Sequence, residues 1–420
     1  MVITTLIKFY HKGAFTMTTA TPWKRNLYIL WLGNFIAGIA FNLLMPFLPL
    51  FINTLGHFSK NSLNLWNGVA YSSTFLVSAL IAPLWGRLAD KKGRKLMLLR
   101  SSLGMAVVNL AMAFVTNTWQ LVFARVLIGL FSGYIPSASA LIATEVPQNQ
   151  SGKALGFLTT GNISGTLLGP LLGGAIASVW GYRSTFIITG ILLLIVFFLS
   201  LILVKEHFTP LSEEKAKLSF KQIMASTQHE NVIWGMMLTT LIIQTAITMV
   251  NPFLTLFIRE LMHFHGPITM VSGVIAATPG FATVLIAAKL GDIGDHIGTA
   301  RIIKIALGLG VIVFILSAIV TNVWQLWGLR FIIGLADAAL LPGVQTMLIK
   351  MTPKESVGTI FSYSQSAQGF GSVIGPMMGA VLAGIIDYRG TFVVNAVLLL
   401  VILIVLMMIH RTNEKLKSAL

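Results

Sequence analysis

The sequence predicts an all-α integral membrane protein with twelve transmembrane helices in two pseudo-symmetric six-helix bundles. Three observations carry this. Hydrophobic residues make up 55% of the 420 positions, and a mean hydropathy of +0.84 is more apolar surface than a soluble core of this size can hide. Apolar runs of about 20 residues, enough for a helix to cross the hydrocarbon core, recur from Leu27 to Ile409. The chain also falls onto itself when slid by 205 or 206 residues. Barrel strands, at about ten alternating residues, fit these Gly- and Pro-dotted runs less well.

Residues 1–22 read as a cytoplasmic tail, in which Met1 and Met17 are both candidate starts. The short stretch Val2 to Ile7 makes no convincing signal peptide. The first six spans are 27–52, 66–86, 95–115, 119–143, 154–179 and 184–204. The polar segment 205–230 follows as the long charged linker. The next six are 231–258, 268–290, 301–320, 324–349, 358–383 and 391–410, ahead of a cytoplasmic tail at 411–420. The expected bundles are therefore 23–204 and 231–410.

The repeat is visible span by span. In spans 1 and 7, "MPFLPLF" (45–51) matches "NPFLTLF" (251–257). Leading spans 4 and 10, "NTWQL" (117–121) matches "NVWQL" (322–326), followed by Arg125 with Arg330 and Gly129 with Gly334. In spans 5 and 11, "GTLLGPLLGG" (165–174) meets "GSVIGPMMGA" (371–380), and "YRSTF" (182–186) meets "YRGTF" (388–392) at spans 6 and 12. Two sets of six helices in parallel repeat form a transporter architecture, with a site near the midplane where the sets face each other.

Charge gives the orientation. Of 29 Lys and Arg, 23 fall on the side of both termini, four lie opposite (Lys60, Arg183, Arg259, Arg389), and Arg125 and Arg330 are inside helices. By the positive-inside rule both termini are cytoplasmic. The net charge of +16 is thus topological; no basic stripe with interleaved aromatics points to nucleic acid. With no Cys, scattered His and no phosphate loop before a Lys, the sequence offers no catalytic, metal or cofactor site, and ATP is not the expected energy source.

Two motifs stand out. After span 2 come Gly86, Leu88, Asp90, Gly93, Arg94 and Lys95; after span 8 the copy keeps Gly291, Asp295 and Gly298 but has Thr299 and Ala300 in place of the basic pair. Glycines permit a tight turn and close approach, and a carboxylate can sit against a helix N-terminus. Span 5 carries Gly165, Gly169, Pro170, Gly173 and Gly174, and span 11 repeats Gly375 and Pro376. Small residues let membrane helices touch, while Pro frees a carbonyl.

These motifs resemble those of the major facilitator superfamily, and within it the twelve-helix drug:proton antiporters, over about residues 22 to 410. "WKRNLYILWLGNF", "MPFLPLF", "GRKLMLLRS" and "SALIAT" resemble a multidrug-resistance branch of it. The resemblance implies a latch in which Asp90 docks on the N-terminal end of span 11, near Gly358 to Phe361, with Arg94 as its anchor and Glu145 as a further member. It also implies that the span 5 glycines favour export over uptake. Span 4 matches the family pattern at Leu121, Arg125 and Gly129, but Ile128 stands where a polar residue is usual, so the part Arg125 plays in proton handling stays open.

Asp337 is the one acid deep inside a span. A charge at a helix centre costs about 2.5–3.5 kcal/mol on insertion scales, so an acid kept there binds a proton or a partner. Arg330 lies two turns earlier on the same face; static pairing, proton carrying and substrate contact are the three readings.

Polar stripes mark a candidate cavity. They are Asn34 and Asn42 in span 1, Thr159, Asn162 and Thr166 in span 5, Thr240, Gln244, Thr248 and Asn251 in span 7, and Gln365, Gln368 and Ser372 in span 11. The competing account is hydrogen bonding that only joins helices.

The expected function is proton-coupled efflux of drugs or other amphipathic small molecules through a bacterial inner membrane. The alternative is a proton-coupled uptake symporter for a sugar or organic acid. A proton, a small-molecule substrate and the bilayer are the expected partners, with the proton as coupling ion, no cofactor, no metal, no nucleic acid and a monomeric chain.

Overall fold

The computed structural model describes residues 22–147, 150–206, 208, 230–352 and 357–418. Most of the expected linker and the tail at 1–21 lie outside the described residues. Those described are helical throughout, joined by short turns, with no strand.

The first half comprises α1 (Pro22–Leu44), a 3-10 turn (Met45–Phe47), α2 (Leu48–Asn53), α3 (Lys60–Lys92), α4 (Arg94–Met112), α5 (Thr118–Phe131), α6 (Tyr134–Glu145), α7 (Ser151–Trp180) and α8 (Tyr182–Leu203). The second comprises α9 (Glu230–Met249), α10 (Leu254–Leu261), α11 (Ile268–Ile297), α12 (Thr299–Ala318), α13 (Val323–Met351), α14 (Val357–Ile385) and α15 (Asp387–Ser418). Among the described residues, eleven helices are long and apolar enough to cross a membrane, and twelve if the bent pair in α9 and α10 forms one span.

Three spans expected to be continuous are broken, each for a local reason. Span 1 passes through a 3-10 turn at "MPF", and span 7 bends by 42° between Ile233–Met249 and Leu254–Leu261. Pro46 and Pro252 occupy matching places there, and each removes an N–H and crowds the preceding turn. Span 4 breaks into α5 and α6 at Ser132 and Gly133, where Gly133 has a φ of 121°. That conformation is open to glycine at little cost. Span 2 is longer than the expected 66–86 because polar residues at both ends continue the helix, from Ser59, which caps it by accepting from the Ser62 N–H at 3.3 Å, to Lys92.

The halves repeat each other in packing as well as sequence. In the first, α1 packs on α7, α3 on α5 and α4 on α8; in the second, α9 packs on α14, α11 on α13 and α12 on α15. Arg183 donates to the carbonyls of Ala113 (2.6 Å) and Val115 (2.9 Å), satisfying the end of α4, and Arg389 donates to Ala318 (2.9 Å) at the end of α12. Capping of that kind supplies partners for carbonyls that the helix leaves open.

Glycine sets the spacing within each half. A Cβ on Gly169 would lie 2.9 Å from the Ile39 carbonyl oxygen of α1, and Gly165 and Gly173 have no more room, facing the Phe35 and Leu43 carbonyls. Gly371, Gly375 and Gly379 of α14 meet α9 in the same way. The halves meet chiefly through α3 with α14 and α7 with α11, and more lightly where α10 and α11 reach the 3-10 turn and α10 reaches α2. Large apolar side chains such as Phe114, Leu80 and Leu285 stay exposed, a surface suited to lipid. Trp119, Trp180 and Trp324 are exposed at helix ends on one side of the molecule, as interfacial anchors are.

Candidate functional site

A cavity of about 360 Å³ lies between the halves. It is walled by α1, α3, α5 and α8 on one side and by the α9–α10 bend, α11 and α13 on the other. Arg125 and its repeat mate Arg330 both line it, with Asn42 and Asn251, and no Asp or Glu is among its lining residues.

Arg125 is buried and held by backbone and sulfur. Its Nε donates to the Ala70 carbonyl at 3.1 Å and an Nη to the Met45 Sδ at 3.4 Å, while Thr74 donates to the Arg125 carbonyl at 2.9 Å. Tyr71 donates its hydroxyl to the Met45 carbonyl at the helix break. The Met45 carbonyl thus accepts from both the Leu48 N–H of the 3-10 turn and the Tyr71 hydroxyl. Gly129, one turn after Arg125, lies so close to the Thr74 carbonyl that no side chain fits. The polar residue usual at 128 is here Ile128, buried and on the cavity wall.

Arg330 is held more loosely. Its Nε is buried without a hydrogen-bond partner among the described residues. Asp337 follows on α13, half-buried, and no ion pair within 4.0 Å joins it to Arg330 among the described residues. Direct static pairing, one of the three readings of this pair, is not the arrangement seen.

The polar stripes divide between two uses. Asn42 and Asn251 reach the cavity. Asn42 also donates to the Gly38 carbonyl at 3.0 Å and to Thr166 at 3.4 Å. The α9 and α14 stripes bind each other: Gln244 donates to Ser372 at 3.0 Å, Gln368 donates to Gln244 at 3.2 Å, and Thr248 donates to the Gly371 carbonyl at 3.2 Å. Thr240 and the Ser364 hydroxyl are 3.4 Å apart. These five stripe residues, Thr240, Gln244, Thr248, Gln368 and Ser372, join helices rather than line the cavity, because the glycines of α14 bring the two backbones together. Thr159, Thr166 and Gln365 are exposed, Asn162 is half-buried, and Asn34 is fully buried with neither amide atom hydrogen-bonded among the described residues.

At one end of the molecule the halves interlock. Lys60 of α3 reaches Glu260 (3.0 Å) and Asp387 (2.6 Å), Ser72 donates to the Val373 carbonyl (2.8 Å), and Thr255 donates to the Pro46 carbonyl. Gly174 and Gly273 allow α7 and α11 to touch there, a Cβ on Gly273 lying 2.5 Å from the Pro170 carbonyl oxygen. The span 5 motif therefore faces two ways. Gly165, Gly169 and Gly173 serve the fit to α1, while Pro170 and Gly174 meet the other half.

The opposite end carries the loop motif. Asp90 pairs with Arg94 at 3.4 Å, and half of its side chain is exposed. Gly93 and Gly298 have φ of 90° and 94°, so the second copy keeps the turn although it lost the basic pair. A Cβ on Gly86 would meet nothing within 4 Å. Glu145, expected beside Asp90, accepts from Asn26 at 2.7 Å. Asn26 also donates to the Lys205 carbonyl at 2.6 Å and accepts from its N–H at 3.1 Å, tying α1 to the end of α8. Only the backbone is described at Gly291, Asp295 and residues 357–359, so the expected docking of Asp90 on α14 lies outside the described residues.

Glu206 was not singled out from the sequence. Its two carboxylate oxygens accept the N–H groups of Arg94 and Lys95, both at 2.8 Å, at the start of α4. Those N–H groups have no helical partner, and an anion is favoured there by the helix dipole. The signal was one acid just past span 6, and nothing in one dimension says which helix end it meets.

Comparison with known proteins agrees with this architecture. The family model described as "Major Facilitator Superfamily" matches residues 30–318 and 271–420. A "Multidrug resistance protein MdtG" of Proteus mirabilis (strain HI4320) is 46% identical over 393 residues, covering 94% of this chain and 98% of that one. A protein of the same description from Salmonella heidelberg (strain SL476) is 48% identical, covering 89% and 92%. Among solved structures, a bacterial homologue of the human lysosomal transporter Spinster, in an inward-facing and occupied conformation, aligns with a TM-score of 0.76 at 16% identity, covering 94% of this chain and 98% of that one. The nucleoside transporter NupG aligns at 0.74 and 13%, covering 92% and 99%. At such identities the likeness concerns the fold. The chain belongs to the Major Facilitator Superfamily.

Proposed function

We propose that this chain exports drugs or other amphipathic small molecules across a bacterial cytoplasmic membrane, driven by inward proton flow, with the halves alternately opening a central site to either side. The observation that carries the reading is the cavity of about 360 Å³ walled by both halves and lined by Arg125 and Arg330. The multidrug-resistance descriptions of the two relatives support the direction and the substrate class.

In this reading the bundles 23–204 and 231–410 are the moving bodies and 205–230 is their tether. The excess of Lys and Arg on the Asp90 side supports a cytoplasmic position for that end and for both termini. The Lys60 end then faces outward and is shut, so substrate loads from the cytoplasmic end. Asp337 carries the proton, and Arg330, two turns away and uncommitted at Nε, sets the field it titrates in. One chain suffices, because both halves of the site lie on it.

The energetics suffice. A proton moving inward yields about 2.3 kcal/mol per 100 mV and about 1.4 kcal/mol per pH unit. Together these sustain a concentration ratio of several hundredfold, at about 1.4 kcal/mol for each factor of ten. Proteoliposomes loaded with a panel of amphipathic compounds, under an imposed pH gradient, test the reading by following compound and proton together. Coupled counterflow supports export. Co-movement in one direction would favour uptake of a sugar or organic acid, and no flux across a broad panel would remove the transport reading.

A further inference from the structure

Lys60 is the first residue of α3, in the first half, yet its ammonium sits in the second. It lies 3.0 Å from Glu260 Oε1, 2.6 Å from Asp387 Oδ1 and 4.3 Å from the centre of the Tyr388 ring. The receiving groups form a cup suited to a cation. Glu260 stands at the end of α10, Asp387 opens α15, and Tyr388 is the floor, 3% exposed, stacked on Phe253 and edge-on to Phe257. Two carboxylates and a ring face attract an ammonium by charge and by the ring quadrupole.

The cup's own half does not fill it. Arg259, next to Glu260, lies over the Phe264 ring at 5.2 Å, and Arg389, two residues after Asp387, gives its hydrogen bond to the Ala318 carbonyl. Asp387 is also held at a φ of 67°, a region that non-glycine residues rarely adopt, with its carbonyl accepting from the Thr391 hydroxyl at 2.9 Å. The cup is thus preformed by its own half, while the cation comes from across the interface.

We infer that Lys60 is the lock of this end: a tethered cation whose seating in the Glu260–Asp387–Tyr388 cup holds the halves together, and whose withdrawal must accompany opening. Lys60 is a positioning residue for the transport cycle and touches no substrate. The inference rests on the alternating-access reading for its purpose, but its test reads geometry alone. A ligand that favours one of two states shifts their ratio by its differential affinity, and a tethered side chain obeys the same rule.

The chain has no Cys, so a reporter pair can be placed on a clean background. Asn61 and Gly384 adjoin the lock from opposite halves, and a Cβ on Gly384 would lie 3.6 Å from the Asn61 Cα, in free van der Waals contact and within disulfide reach. In the otherwise native full-length protein, Asn61→Cys with Gly384→Cys should cross-link rapidly under mild oxidant. Adding Lys60→Gln should slow cross-linking about five- to tenfold, and Lys60→Glu more. Lys60→Glu combined with Glu260→Lys should restore the rate, because the pairing is rebuilt with its charges exchanged. The lock also predicts a raised KM for loading from the Asp90 end with little change in kcat for Lys60→Gln. Should Lys60→Glu fail to fold, the neutral Lys60→Gln carries the test, with its detergent melting curve as the check on folding. Unchanged cross-linking in a folded Lys60→Gln protein would overturn the inference, as would an exchanged pair no faster than Lys60→Glu alone. A failure to detect transport leaves the cross-linking result readable, so the two proposals can fail separately.

Discussion

The two ends of this molecule are made from the same repeated halves, yet they treat the boundary between halves differently. At the Lys60 end, side chains cross it: Lys60 to Glu260 and Asp387, Ser72 to the Val373 carbonyl, Thr255 to the Pro46 carbonyl. At the Asp90 end the contacts described stay within one half: Glu206 on the start of α4, Asn26 with Glu145 and Lys205, Arg94 with Asp90. At the first end, backbone carbonyls of each half accept from hydroxyls of the other. Carboxylates at the second end find partners on their own helix or its neighbours. Among the described residues the halves share side-chain bonds at the Lys60 end, and that end is the closure seen here.

The largest effect should come from a residue belonging to neither end. Asp337→Asn should abolish proton-coupled flux, by a hundredfold or more, while leaving compound binding and cross-linking between Asn61→Cys and Gly384→Cys intact; preserved coupling would move the proton site elsewhere. Next is the helix contact itself. A Cβ on Gly174 would lie 2.9 Å from the Thr269 carbonyl oxygen, whereas one on Gly156, at the other end of the same helix, would meet nothing within 4 Å. Gly174→Leu should therefore reduce transport about tenfold and slow that cross-link, and Gly156→Leu should change both less than about twofold. Equal effects would mean that the ends do not differ in closeness.

The loop motif should show a smaller split. Asp90→Asn should lower transport about fivefold without lowering membrane insertion, while Lys91→Ala should be mild, measured by flux against the amount of protein in the membrane. The smallest change is Glu206→Gln, which keeps the shape but removes the charge at the start of α4. An anion at a helix N-terminus is worth about 0.3–1 kcal/mol, which in a chain of this length lowers the detergent melting temperature by about one degree or less, with flux nearly unchanged. A large loss of flux would make Glu206 part of the switching machinery.

Much of this was legible in one dimension because the bilayer imposes a strong rule. A span must satisfy its backbone internally and present apolar side chains to lipid, so run length and composition report it directly. The repeat was legible because Arg125 and Arg330, or the two "YR" pairs, kept their residues at a fixed offset. The breaks at Pro46 and Pro252 were visible as residues, but not as bends, since a proline in a membrane helix can also be absorbed. The stripes were harder. Gln244 and Gln368 sit at the same helical spacing whether they face water or each other, and only the closeness of α9 and α14 decides.

The sequence by itself determined the solvent, the number of spans, the doubling of the chain, and the sign of charge at each end. These follow from local composition and spacing, which physical rules read one segment at a time. The tertiary structure alone decided that Lys60, counted only as an outward charge, meets Glu260 and Asp387, that Glu206 caps α4, and that Asn42 and Asn251 rather than the whole stripes reach the cavity. Those pairings join residues up to 327 positions apart. They depend on how closely glycine lets helices approach and on which way two halves lean, and neither quantity is encoded in any single stretch of the chain.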